Sequence, residues 1–280
     1  DGTTTRLVSD SSWSLSASGP IGWNNEFDGE HYDARKEDPA WALPGFSGEA
    51  WAPAGLVAAP LGRIAGQSSA PIRVTERFAP INSWKTKFGT TIYDFGCNLV
   101  GWTRLQLEGR AGEIVMLRHA ENLESKDVLA TENLRSALCT NTITLREGIT
   151  DYEPKFTYHG FRYMELRGNA APRNVEACFV HDEVDTTGAF TCSNDLVNKI
   201  VEASARGIRG NYRSMPTDCP QRDERMGWLG DRAGGAPGEM FLFDVSKLYS
   251  KWMDAICFAQ PPRGCVPDIA PPFWRMFTDT

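Results

Sequence analysis

The hydrophobic period of this chain changes once, near Phe190, and that change limits the fold more than any other feature. Before it, short alternating or apolar runs recur between Gly, Asn, Asp and Pro, as in TIYDFG, WTRLQLEG, EIVMLRHAE, NTITLRE and FRYMELRG, the pattern of strands separated by turns. Several short strands at this spacing indicate a β-sandwich or jelly roll. After it, SNDLVNKIVEASARGIRGN offers Ser193 or Asn194 as a cap, then Leu196, Val197, Ile200, Val201 and Ile208 at helical spacing. A second helix is expected in DVSKLYSKWMDAICFAQ, with Asp244 capping its first turn and Val245, Leu248, Trp252 and Ile256 along one face. Strands followed by helices imply separate domains rather than one mixed sheet.

Residues 53–72, PAGLVAAPLGRIAGQSSAPI, are rich in Pro, Gly and Ala and lie between two strand-bearing stretches. They are read as a boundary, which divides the chain into a partial N-terminal β domain (1–58), a β-sandwich domain (59–185) and a helical domain that begins at 186. The first unit is too short for a full sandwich and the chain starts without Met, so upstream sequence is expected. An apolar share of 41%, a charged share of 23% and nine Trp are ordinary globular usage. A formal charge of -7 gives no basic field for a phosphate backbone, so no nucleic-acid partner is expected. No apolar run approaches the roughly 20 residues that span a bilayer, so no membrane partner is expected either.

Seven cysteines occur without a CxxC or a Cys/His spacing typical of zinc. Most are expected as free thiols, which fits a reducing compartment best, with an extracytoplasmic location also open. His159, within FTYHGFRY, reads as a packed, hydrogen-bonded histidine. His31, His119 and His181 lie far apart in sequence and share no ligand spacing, so no metal site is expected.

The unusual segment is 215–231, MPTDCPQRDERMGWLGD, which gathers Asp218, Arg222, Asp223, Glu224, Arg225 and Asp231 with two prolines and two glycines. Pro216 and Pro220 deny helical amides, while Gly227 and Gly230 permit tight turns, so a loop and a short helical turn are expected between the two helices. Such a set suits glycoside cleavage, which needs a protonated carboxyl at the leaving oxygen and a carboxylate that activates water or attacks the anomeric carbon. Trp228 adds an apolar face for the C–H surface of a sugar. In an arbitrary protein, though, a loop of alternating charges is more often a solvated, salt-bridged turn.

The run PTDCPQRDERMGWLGD resembles, nearly letter for letter, the signature of the bacterial α-L-rhamnosidases, which end it WTGD where this chain has WLGD. The similarity extends to WSLSASGPIGWNNEFDGEHYDAR, YDFGCNLVGWTRLQLEGRAGEIVMLRHAE, FTYHGFRYMELRG, GAFTCSNDLVNKI and GCVPDIAPPFW, in the family's order. The resemblance implies β-sandwich units followed by the beginning of an (α/α)6 barrel. It implies release of terminal α-L-rhamnose from a rhamnose-containing glycoside or polysaccharide in a bacterium, without a cofactor.

On that resemblance Glu224 is the general acid, Asp218, Arg222 and Asp231 hold the rhamnose hydroxyls, and Trp228 forms the sugar-facing wall. Asp268, in VPDIAP, is a further candidate for lining the site, and the aromatic stretch APPFWRMF around Trp274 suits a substrate wall or core packing equally. Asp223 and Arg225 are expected to buttress the loop. A contacting cation holds a carboxyl ionised, so the acid role calls for Arg222 and Arg225 to turn toward Asp218, Asp223 or Asp231 rather than toward Glu224. The family inverts configuration, which sets the second carboxylate about 6.5–9.5 Å from Glu224. That base is expected to lie beyond Thr280, so the 280 residues alone are not expected to complete the reaction. The rival readings are a non-catalytic carbohydrate-binding protein that uses the β-sandwiches, and an interaction scaffold with no sugar affinity. Oligomeric state is left open.

Overall fold

The computed structural model describes residues 2–272. Its strands are β1 (Ser14–Leu15), β2 (Ile21–Asn25), β3 (Gly29–Asp33), β4 (Ala52–Pro53), β5 (Ile72–Phe78), β6 (Asn82–Lys85), β7 (Thr91–Gly109), β8 (Ile114–Ala120), β9 (Asn122–Ser125), β10 (Val128–Ala130), β11 (Thr140–Thr144), β12 (Gly148–Tyr152), β13 (His159–Arg167) and β14 (Ala171–Asp182). The helices α1 (Asp195–Gly210), α2 (Leu229–Met240) and α3 (Ser246–Ala259) follow. The sequence therefore changes from strands to helices where its hydrophobic period changes.

The main sheet runs in the order β2-β3-β11-β8-β13-β7-β14-β5, with β6 and β12 also paired to β7. TIYDFG and WTRLQLEG, which read as two strands, are the two ends of the single 19-residue strand β7. Gly101 lies between them at φ +153, where an added Cβ would sit 2.0 Å from the Cys178 carbonyl oxygen, so only glycine fits there. The first part of β7 pairs with β6 and β13, the last part with β12 and β14. One long strand thus serves two sets of neighbours around one core, which includes Phe95, Leu105, Val115, Leu117, Phe161 and Phe179. Truncation of a wholly buried Phe161 to alanine costs about 3–5 kcal/mol. Across the Pro/Gly/Ala-rich stretch, β3 pairs in parallel with β11, His31 opposite Thr142, so strands from both sides of it share the sheet.

In α1 the Asn194 side chain accepts the amides of Leu196 and Val197, at 3.0 and 3.4 Å, which satisfies two first-turn donors. Gly210 ends the helix against Val100 of β7, where an added Cβ would lie 2.5 Å from its Cγ2. The expected apolar stripe of α1 divides: Ile208 packs on the Tyr212–Phe243 cluster, whereas Leu196 and Ile200 are 66% and 55% exposed. α3 buries Leu248, Trp252 and Ile256 as its periodicity predicts. Its N-cap is Val245 and not Asp244, but the Asp244 carboxylate still accepts the Ser246 amide at 3.0 Å. Between them α2 is a full helix that the sequence conceals, since LGDRAGGAPGEM holds four glycines and Pro237. Among the described residues no helix is long and apolar enough to cross a membrane.

Candidate functional site

The charged loop begins where α1 ends. Tyr212 bridges Pro216, and the Thr217 amide donates to the Asn211 carbonyl at 2.8 Å, so the chain doubles back at once. Asp218 then closes the loop on itself: its amide donates to the Met226 carbonyl at 2.9 Å and its carboxylate accepts the Met226 amide at 2.7 Å. Residues 218 and 226 become the base of a closed turn whose tip carries Arg222, Asp223 and Glu224. Pro220 lies against β13, where Gly160 leaves room for it; an added Cβ would stand 2.9 Å from the Pro220 ring. The prolines thus fit a loop, as their missing amides require, and the loop is laid on the β-rich part.

Arg225 fixes it there. Its backbone is left-handed at φ 55, and its buried guanidinium donates to the carbonyl oxygens of Arg222, Gln221, Glu26 and Tyr158. The guanidinium also lies over the rings of Tyr158 and Phe27, at 4.6 and 5.3 Å. Asp223 accepts a hydrogen bond from Ser136 Oγ at 2.5 Å, which holds its carboxyl below the usual carboxylate range. Both residues buttress the loop in this geometry.

Glu224 presents a mostly covered carboxylate, 15% exposed, between two cations: Arg135 Nη2 at 2.9 Å and Arg222 Nη2 at 3.0 Å. Neither contact has the angles of a directed hydrogen bond, so these are ion pairs. Arg222 also reaches Asp218 at 3.4 Å. The expected arrangement, with Arg222 turned away from Glu224, is not the one found. The reason is the closed turn, which brings Asp218 and Glu224 to the same side, so that one guanidinium serves both carboxylates. Ligand atoms of Asp218, Cys219 and Glu224 lie within 4.8 Å of one another, the spacing of a metal site. Burial and the Asp218 contact push the Cys219 thiol up to about 12, so a metal here would have to displace that proton. Two guanidinium groups, Arg222 and Arg135, already lie against these carboxylates.

The remaining expected residues are placed by a short pairing of 227–229 with 268–270. Leu229 donates to the Asp268 carbonyl and Ala270 to the Gly227 carbonyl, both at 3.0 Å, and Trp228 bridges Ile269. Asp268 is therefore brought beside Trp228 and is half-buried. The Trp228 indole N–H is buried without a hydrogen-bond partner among the described residues. Gly227 is needed for close approach and not for a turn: its added Cβ would lie 2.3 Å from the Ala270 carbonyl oxygen. Asp231 is exposed in the first turn of α2. Trp274 lies outside the described residues.

Sequence reasoning missed the supports. Arg135 and Ser136 reach the loop from a turn almost ninety positions earlier, and Cys139 donates to the Gln221 carbonyl at 3.2 Å. Glu239, 2% exposed, accepts from Arg232 and from the hydroxyls of Tyr212 and Tyr249, at 2.8 and 2.9 Å. Arg232 in turn donates to the Thr217 carbonyl at 2.6 Å and so ties α2 to the start of the loop. Beneath the loop His119 and His159 stack with ring centres 4.4 Å apart.

Comparison with known proteins matches three domain models in order. An α-L-rhamnosidase N-terminal domain covers residues 1–76, a bacterial α-L-rhamnosidase concanavalin-like domain 84–181, and a bacterial α-L-rhamnosidase 6 hairpin glycosidase domain 185–280. An α-L-rhamnosidase of Streptomyces avermitilis is 38% identical over 276 residues, covering 97% of this chain and 27% of that protein. One from Alteromonas sp. is 34% identical over 278 residues, with 97% and 30% covered. Among solved structures, α-L-rhamnosidase from Dictyoglumus thermophilum matches with TM-score 0.93 at 40% identity, over 97% of this chain and 31% of that one. The Streptomyces avermitilis enzyme complexed with L-rhamnose matches with TM-score 0.92 at 37% identity, over 98% and 27%. The chain thus spans under a third of the length of these relatives.

Proposed function

Because this chain belongs to the bacterial α-L-rhamnosidase family, we propose that the full-length protein releases terminal non-reducing α-L-rhamnose from rhamnosides by inversion, with Glu224 as the general acid. The observation that carries this reading is the closed turn itself, which holds the Glu224 carboxyl at its tip, mostly covered, with Arg222 reaching both it and the Asp218 carboxylate at the base. That a relative of the same fold is complexed with L-rhamnose supports rhamnose as the sugar.

Each part has a role in the proposal. Glu224 passes its proton to the glycosidic oxygen as that oxygen leaves the anomeric carbon. When sugar enters, Arg222 turns to its other partner, Asp218, and the two hold rhamnose hydroxyls together with Asp231. Trp228 packs on the C–H face of the ring. Water attacks from the opposite face, activated by a carboxylate outside these 280 residues, about 6.5–9.5 Å from Glu224. Proton transfer and water suffice for this chemistry, which calls for no cofactor. The chain divides for these purposes into residues 1–58, 59–185 and the helical part from 186, with β2 and β3 of the first segment completing the sheet of the second.

The test is hydrolysis of p-nitrophenyl α-L-rhamnoside by the full-length protein and its Glu224→Gln variant. Loss of roughly a thousandfold or more in kcat, with rhamnose binding kept, is expected. Equal turnover by the variant removes Glu224 from the role, and sugar binding by a wild type that never turns over moves the protein to the carbohydrate-binding class.

A further inference from the structure

The β-rich part reaches into the acid loop at one place. The turn after β10 contains a short 3-10 helix, Glu132–Leu134, closed by Arg135 at φ 56 and ψ -116, and Cys139 follows at φ 45. Two non-glycine residues in the left-handed region within five positions mark a turn held in a costly backbone shape, which persists only when its surroundings enforce it. The enforcement is visible. Leu134, Ala137 and Cys139 are buried together against Phe27, the Cys139 amide donates to the Phe27 carbonyl, and the Leu138 amide donates to Asp28. Arg135 and Ser136, between these buried residues, are left facing the catalytic loop. Ser136 binds Asp223, and Arg135 lies 3.8 Å from Asp223 and 2.9 Å from Glu224 while 52% of its side chain stays exposed.

We propose that Arg135 is a positioning residue of the acid loop, holding the Glu224 carboxyl aimed at the glycosidic oxygen. This role rests on the hydrolase reading above. In the step, the proton moves from Glu224 to the glycosidic oxygen and the bond from that oxygen to the anomeric carbon breaks. Water forms the new bond and gives its proton to the base, so Glu224 alone is left newly negative beside Arg135. A side chain that fixes the direction of proton transfer acts on the barrier and not merely on the substrate affinity. Arg222 is the second cation at Glu224, but it is shared with Asp218 and assigned to the sugar, whereas Arg135 spans the loop tip from Asp223 to Glu224. The other titratable groups facing Glu224 are the Asp218 and Asp223 carboxyls and the Cys219 thiol.

The experiment compares the full-length enzyme with Arg135→Gln and Arg135→Lys on an aryl α-L-rhamnoside. For Arg135→Gln, kcat is expected to fall by about 10–100-fold and KM to change by less than about threefold. Arg135→Lys, which keeps the ion pair, should restore most of the rate. Arg135→Met, which keeps the apolar stem, replaces the glutamine variant if that one fails to fold, with the same expectations. An active wild type whose charge-removing variant keeps its kcat, or loses only melting temperature, overturns the role of Arg135 alone. A wild type silent on every rhamnoside overturns the hydrolase reading and this role with it.

Discussion

The guanidinium of Arg225 lies 4.6 Å from the ring centre of Tyr158 while its Nη1 donates 2.7 Å to the carbonyl oxygen of that same residue. One side chain thereby fastens a loop of the helical part to both the ring and the backbone of the β-rich part. Lysine has no planar fork to serve several carbonyls and stacks less well. Arg225→Lys is therefore expected to cost about 2–4 kcal/mol and to open residues 215–228 to limited proteolysis. Unchanged urea midpoint and protease resistance would show that the loop is held by Pro220 and Asp218 instead.

Glu239 is the corresponding fastener within the helical part. Its carboxylate, 2% exposed, takes Arg232 and two tyrosine hydroxyls, and Arg232 is only 12% exposed. Removing the acid leaves a buried guanidinium uncompensated, so Glu239→Ala is expected to cost about 3–5 kcal/mol. Replacing Tyr249 by Phe removes one of the three contacts to Glu239 and should cost only about 1 kcal/mol. Chemical denaturation of the two variants checks the ranking, and equal losses would contradict it.

These fasteners explain what the sequence shows and what it hides. The period change near Phe190, the α3 face and the Asn194 cap follow from local spacing, and local spacing is what the structure keeps. The acid loop is legible because two prolines forbid a helix and because its letters match a family. α2 is hidden, since glycine and proline argue against a helix that tertiary contacts through Glu239 and Arg232 nevertheless hold. Arg135 is hidden for another reason. Its ion pair with Glu224 joins positions far apart in the chain, and no period or motif in the sequence points from one to the other.

Gly227 tests the pairing that brings Asp268 to Trp228. An alanine there would put Cβ 2.3 Å from a backbone oxygen of Ala270 and 3.0 Å from the Trp252 indole nitrogen, neither of which is a flexible chain end. Gly227→Ala is expected to cost about 2–4 kcal/mol and to weaken rhamnose binding by shifting Trp228. Gly230→Ala, where nothing lies within 4 Å, should be neutral or slightly stabilising. Reversal of this order in thermal melts would contradict the close approach.

The buried histidines give the fold a pH dependence of defined sign. Burial pushes the His119 and His181 imidazoles down to about 4, and His159 falls well below its ordinary value through burial beside His119 and Arg225. Between the ordinary histidine value near 6.5 and about 4, the unfolded chain binds protons that the folded one refuses. Stability is therefore complete above this window and falls as pH drops through it, by roughly 3 kcal/mol for His119 over the whole window. Glu30 and Asp182, whose carboxyls burial raises, act in the opposite direction toward the lower end of the window. Urea midpoints for wild type and His119→Asn at pH 7 and pH 5 measure it. The wild type should lose stability between them, the variant should lose less, and equal losses would mean that His119 accepts a proton without disturbing its stack on His159.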